Sequence, residues 1–145
     1  MVFLKGRFKF VALFCVVVLA LAPTAVFGQT VQLMSVFDPS YTTLDDGSGS
    51  ISPYGSSGIS ISGSTYAKRN ADSIGVTATL QRWTGSSWSS VGSVTSIDEN
   101  DSSVSTGKTF SSLSKGKYRV RTSHWTTHNG VYENGTLYTG SITID

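Results

Sequence analysis

The fold of this chain is decided by the stretch Ser73-Ile74-Gly75-Val76-Thr77-Ala78-Thr79-Leu80-Gln81-Arg82-Trp83. Apolar side chains at every second position alternate there with glycine, threonine and glutamine. A period of two residues is typical of a strand with one buried and one wet face. No segment after residue 28 has the three-to-four-residue apolar spacing of an amphipathic helix. The sequence therefore predicts an all-β protein.

Six further segments alternate in the same way, and turn signals separate most of them. The predicted strands are residues 31–37, 58–67, 73–83, 88–97, 102–110, 117–127 and 132–144, with turns at Gly85, Asp98-Glu99-Asn100-Asp101, Ser114-Lys115-Gly116 and Asn129-Gly130. About seven short strands indicate an antiparallel β-sandwich of immunoglobulin or fibronectin-III type, with its domain at residues 58–145.

The segment before that domain, residues 29–57, is harder to interpret. Residues 38–57 contain mostly Pro, Asp, Gly and Ser, which predicts a long flexible loop. Residues 29–37 then form either the first strand of the sandwich or an arm that pairs elsewhere. The sequence leaves both open.

Residues 1–28 have the parts of a secretory signal peptide: a basic start, an apolar stretch and a short segment before Gln29. We expect cleavage after Gly28, because the apolar stretch spans only about 20 Å of helix against roughly 30 Å of hydrocarbon. Cleavage removes three basic residues and Cys15, which leaves eight basic residues against nine acidic ones. The sequence thus predicts a secreted domain without disulfides that binds no nucleic acid and keeps no stable membrane span.

One stretch resembles a known structural corner. Leu113-Ser114-Lys115-Gly116-Lys117-Tyr118-Arg119-Val120 is similar to the corner before strand F of immunoglobulin-like domains, where a tyrosine hydroxyl bonds to upstream backbone. The wider pattern adds the 73–83 stretch, Trp88 and the segment with His124 and His128. It resembles a family of small secreted Gram-positive bacterial proteins without an established activity. The resemblance covers about residues 58–145, implies a fold and assigns no catalytic residue.

A metal site is one hypothesis for the hairpin around Asn129-Gly130. A two-residue turn pairs His128 with Val131 and places His124, His128 and Glu133 on one face, as a zinc ligand set requires. Carried along the hairpin, that register puts Tyr118 and Ile142 on opposite faces. A three-residue loop restores the common core face but turns Glu133 away, so the site needs a bulge. We therefore expect no metal and no other cofactor, and interpret the acidic runs at 45–46 and 98–101 as turns rather than calcium ligands.

The aromatic residues give the second candidate site. Trp83 and Trp88 flank a four-residue hairpin loop, so their rings are expected to meet across the strands. Trp83 shares its parity with the wet-side residues Thr77 and Thr79, and Trp125 shares the parity of Arg119 and Arg121. A patch of Trp83, Trp88 and Trp125 on a polar face would suit recognition of a glycan or a peptide. The alternative interpretation is a purely structural cross-strand pair.

The sequence indicates no enzyme and no catalytic residue, because it offers no convincing base and orienting carboxylate beside its many serines. The favoured function is that of a secreted, non-enzymatic binding or structural module at the cell envelope, with an extracellular protein or glycan as its partner. Two alternatives remain. One is a secreted antibacterial or toxin-like protein. The other is a homo-oligomeric surface subunit that donates residues 31–37 to the next copy.

Overall fold

The computed structural model describes residues 36–145, which form an all-β domain of five antiparallel strands and no helix. The strands are β1 (Leu44–Tyr54), β2 (Gly58–Trp83), β3 (Trp88–Phe110), β4 (Gly116–His128) and β5 (Val131–Ile144). In the sheet, β1 and β4 both pair with one edge of β2, and β3 pairs with its other edge. The remaining strand, β5, pairs with β4. The all-β prediction is confirmed. In the part of the chain that is described, no helix is long and apolar enough to cross a membrane.

The long strand β2 organises the sheet. Its first half pairs with β1 on one edge, its second half pairs with β4 on that same edge, and β3 follows it along the other. A register shift between Tyr66 and Ala71 marks the bend between the halves. The bend curls the sheet so that the two halves face each other, and the hydroxyl of Thr65 donates to the carbonyl of Gly75 at 2.9 Å.

This continuity corrects two boundaries of the sequence analysis. The predicted strands 58–67 and 73–83 are halves of β2, and the predicted strands 88–97 and 102–110 are halves of β3. In the polar segment of β3, Asp98, Glu99 and Asp101 pair with Ile74, Ser73 and Ala71 of β2. The segment 98–101 therefore lies within a strand and is not a chain-reversing turn. Of the predicted strand 31–37, all but Val36 and Phe37 lies outside the described residues.

The prediction of a long loop at residues 38–57 was wrong, because β1 lies within this segment. The inward positions of β1 include Gly47 and Gly49, which pack by close approach of the backbone. A Cβ atom on Gly47 would lie 2.7 Å from Nδ1 of His124, and one on Gly49 would lie 2.8 Å from Cγ2 of Thr122. The strand therefore lacks the alternating apolar side chains by which the others were recognised.

The core fills the space between the facing halves in two clusters joined by buried polar residues. The larger cluster is Ile59, Ile61, Ala78, Leu80, Tyr118, Val120 and Ile144. The smaller is Ala71, Ile74, Val76 and Val104. Thr65, Thr122, His124 and Thr126 are also buried. The hydroxyl of Tyr118 donates to the carbonyl of Ser114 at 2.6 Å, the local bond that its resemblance to an immunoglobulin corner predicts.

The β4–β5 hairpin contains both registers that the sequence analysis treated as alternatives: one near the turn and the other beyond a bulge. Asn129 and Gly130 form a two-residue turn with φ of 50° and 76°, and His128 pairs with Val131. A register shift between Arg119 and Arg121 then brings Tyr118 opposite Ile142. The backbone NH of Val120 donates there to the hydroxyl of Thr139 at 2.9 Å. Of the alternatives that the sequence analysis weighed, the hairpin thus has the two-residue turn with a bulge and not the three-residue loop, and the bulge keeps both Tyr118 and Glu133 on the inner face.

Candidate functional site

The outer face of β2 to β5 carries the aromatic residues that the sequence singled out. Trp83 and Trp88 pair across the four-residue loop with ring centroids 5.4 Å apart and planes inclined at 57°. This confirms their predicted cross-strand contact. Trp83 is 38% exposed, so part of its ring surface faces solvent. The tilted geometry is one that aromatic pairs prefer.

Arg119 joins this pair to a tyrosine that the sequence analysis did not single out. Its guanidinium carbon lies 4.3 Å from the ring centroid of Trp88 and 4.4 Å from that of Tyr138. The Nε of Arg119 donates to Oε1 of the buried Gln81 at 3.0 Å. Two rings and one hydrogen bond thus fix the guanidinium. We call Trp83, Trp88, Arg119 and Tyr138 the aromatic–arginine cluster.

Trp125 lies on the same outer face but outside this cluster. It is opposite Gly75, whereas Arg119 is opposite Gln81, six residues or about 20 Å further along the strand. Its indole covers Gly75 so closely that a Cβ atom there would lie 2.1 Å from Cε2 of Trp125. The structure therefore brings Trp83 and Trp88 together, and places Trp125 in a separate packing contact.

His124 is fully buried between the two facing halves of the sheet. Because the Thr65 hydroxyl donates to Gly75, its oxygen accepts from Nδ1 of His124 at 2.8 Å, and Nε2 accepts from the hydroxyl of Thr122 at 2.7 Å. These bond directions assign a neutral ring with its proton on Nδ1. Burial lowers the pKa of His124 to about 4, although the charge of Asp46 opposes the shift.

Glu133 is a buried carboxylate that holds the start of β1. Its Oε1 accepts from the backbone NH of Thr42 at 2.6 Å and from the hydroxyl of Thr42 at 3.1 Å. Its Oε2 accepts from the backbone NH groups of Thr43 and Leu44 at 2.9 and 2.7 Å. Burial alone would raise the pKa of Glu133, but these bonds together hold that pKa below its usual value. The carboxylate thus ties two segments about ninety residues apart in the chain.

The predicted metal ligands have three different sets of partners. His124 bonds to threonines, Glu133 bonds to backbone NH groups, and Nδ1 of His128 lies 3.3 Å from Oδ1 of Asp72. Within residues 36–145, no three His, Cys, Asp or Glu side chains come together as a metal site would need. The register of a two-residue turn placed His124 and Glu133 on one face, but the sequence gave no sign that the start of β1 would bind the carboxylate.

Comparison with protein-family models, with curated proteins and with solved structures gave no match to this chain. The likeness to immunoglobulin-like domains and to secreted Gram-positive proteins therefore stays a prediction.

Proposed function

We propose that this protein is a secreted, non-enzymatic binding module of the cell envelope that holds an extracellular polymer on the outer face of β2 to β5. The aromatic–arginine cluster is the observation that carries the proposal. Tyr138 is 56% exposed and Trp83 38%, although burial of such rings would be favourable. A large aromatic surface left open beside an ordered guanidinium is typical of a recognition surface.

The position of the cluster suits it to binding. Its members stand on neighbouring strands rather than on loops, and Arg119 is held by Trp88, Tyr138 and Gln81. A ligand would therefore meet groups that are already ordered, which lowers the entropic cost of association. We further propose that residues 1–28 are a signal peptide that is removed on secretion, and that the curled sheet is an immunoglobulin-like sandwich. The Tyr118–Ser114 bond supports that description.

The proposal is tested by truncating the exposed rings. Purified Gram-positive cell walls are incubated with wild type, Trp83→Ala or Tyr138→Ala, and bound protein is measured by sedimentation. We expect each variant to lose affinity at least fivefold, because stacking area on the cluster is removed. The free energy of unfolding should fall by no more than about 1.5 kcal/mol, since both rings are substantially exposed.

The matched control for that experiment is Tyr132→Ala. Tyr132 is equally exposed on the outer face, but lies at the Asn129 turn, away from the cluster. It should bind cell walls as wild type does. Equal losses for Tyr132→Ala and Tyr138→Ala, or no binding by the wild-type protein, would count against the proposal.

A second candidate function is self-assembly, which the free edge of β3 favours. β3 pairs with β2 over most of its 23 residues, and no other strand of residues 36–145 pairs with it. A long open edge is a template for an added strand. Phe37 is buried against Gly135 and His124 of its own chain, so a deletion that tests donation should end before it.

Light scattering after size-exclusion chromatography tests this second candidate. The chain that starts at Gln29 is compared with one that lacks residues 29–35. If residues 31–35 fill the edge of a neighbour, only the longer chain should form assemblies. Monomers in both cases, or assemblies in both, would dismiss the donated strand.

A further inference from the structure

The charges of residues 36–145 are segregated along the strands. We call the two ends of the sheet the Trp83 end and the Asn129 end, after the hairpin loops that lie there. By register, six of the eight basic residues are at the Trp83 end: Arg82, Lys108, Lys115, Lys117, Arg119 and Arg121. Of the nine acidic residues, only Asp145 is near that end. Although the net charge of these residues is close to zero, the sheet thus has one strongly positive end and one strongly negative end.

Three of these cations share the outer face with the aromatic–arginine cluster. Lys117, Arg119 and Arg121 occupy alternate positions of β4, about 7 Å apart, and we call them the basic row. None of them has a carboxylate partner among residues 36–145. The Nε of Arg121 is buried without a hydrogen-bond partner in the same region.

The nearest acidic residue further along this outer face is Glu99. It is opposite Ser73, six residues or about 20 Å from Thr79, the partner of Arg121. That separation exceeds the screening length at physiological salt, about 8 Å. Asp145 follows the last residue of β5 at the Lys117 end of the row. The positive charges of Arg119 and Arg121 are therefore not neutralised by acidic side chains of this face.

We infer that the basic row and the aromatic–arginine cluster together bind an anionic polysaccharide, whose sugar rings lie on Trp83 and Tyr138 while its carboxylate or phosphate groups pair with the guanidinium groups. This inference rests on the proposed function and names its ligand class. Planar guanidinium groups match carboxylate and phosphate oxygens in bidentate pairs. Because Trp88 and Tyr138 both lie against the guanidinium of Arg119, an anion would approach it from the side that the two rings leave open. Stacking rings beside regularly spaced cations suit a polymer that repeats both a ring and a charge.

The test compares two polymers with the same rings and different charge. Polygalacturonate carries a carboxylate on each sugar, and its fully methyl-esterified form carries none. Affinities are measured at 20 and 300 mM NaCl for wild type, for Arg119→Gln/Arg121→Gln and for the control Lys68→Gln/Arg69→Gln. The control removes the same charge from the Asn129 end. We expect wild type to bind the acid at least tenfold more tightly than the ester at low salt, and this preference to shrink at high salt.

The double variant in the row should lose at least tenfold in affinity for the acid, whereas the control should lose less than twofold. Lys117→Gln, whose side chain is exposed, should lose two- to threefold and needs no rearrangement of the fold. Circular dichroism checks that each variant is folded. Reduced binding of the acid by Lys117→Gln, which lies outside the aromatic–arginine cluster, with unchanged binding of the ester would assign the loss to charge.

Several results would overturn the inference. Equal affinity for acid and ester would reject the anionic ligand, while the binding module itself would stand. If the protein binds cell walls but neither polymer, the anionic ligand is likewise rejected and the binding module stands. Binding of phosphatidylglycerol vesicles as tight as that of the acid, and equally dependent on Arg119 and Arg121, would assign the row to a lipid surface. Head-to-tail assembly at low salt that Arg119→Gln/Arg121→Gln abolishes would assign it to the acidic end of a second copy.

Discussion

Replacing Glu133 with Gln should lower the free energy of unfolding by about 2–4 kcal/mol. The carboxylate accepts four hydrogen bonds from Thr42, Thr43 and Leu44, and Glu133 is only 6% exposed. The amide of glutamine fits the same space, but its NH2 group would face donors in place of one carboxylate oxygen. At least one backbone NH at the start of β1 would then be left without an acceptor.

Urea unfolding at pH 7 measures this loss, with Glu99→Gln as the matched control. Glu99 is exposed in β3, so the same chemical change should alter stability by less than about 0.5 kcal/mol. The pKa of Glu133 is held below its ordinary value of 4.5, so the stability from its charge is present above that pH and is lost in acid. Equal effects of the two substitutions at pH 7 would show that the contacts with β1 contribute little.

The strands that sequence reasoning found are those with apolar side chains on one face. Ile74, Val76, Ala78 and Leu80 are all buried, as their alternation predicts. β1 follows another rule: its inward glycines let the backbone approach His124 and Thr122. A strand of Asp, Gly and Ser has the composition of a loop, because what fixes it lies elsewhere in the chain. Its closest anchor is the carboxylate of Glu133, about ninety residues later.

The sequence analysis divided β2 and β3 into two strands each, because local sequence does not distinguish a bend within a strand from a turn between strands. The exposed residues Lys68, Arg69 and Asn70 separate the two apolar halves of β2. In the structure β3 bends with β2, so pairing resumes at Ala71 after the register shift. Two strands that bend together remain two strands, although each carries a polar interruption that resembles a loop.

In the candidate site, too, the sequence predicted the contact that local spacing determines and missed those that depend on register shifts. Loop length was enough to predict the contact between Trp83 and Trp88. The contact of Arg119 with Trp88 and Tyr138 follows register shifts after Leu80 and after Arg119, which change the diagonal neighbours across strands. Bulges leave little trace in the alternation itself. For that reason the sequence analysis placed Arg119 on the polar face with Trp125 but did not pair it with Trp88 and Tyr138.

We expect the protein to lose stability in mild acid because of His124. Its pKa is about 4 in the folded protein, against an ordinary value of 6.5. The unfolded chain therefore binds more protons between these values, and the free energy of unfolding falls as the pH falls through that window. From pH 7.5 to pH 4.5 the loss should be about 2.5 kcal/mol. The fold disfavours the charged ring because His124 is buried and a charged imidazole would lose its hydration there.

Urea unfolding at a series of pH values separates this effect from the others. His124→Asn should abolish most of the decrease between pH 6.5 and 4.5, whatever its own stability at neutral pH, because the titrating group is gone. His128→Gln removes the other histidine and should leave the contribution of His124 in place. If the asparagine variant does not fold, the C2 proton of His124 in wild type provides the measurement by NMR. An imidazole that titrates near pH 6.5 in the folded protein would contradict the neutral, buried ring and the hydrogen-bond directions on which the argument depends.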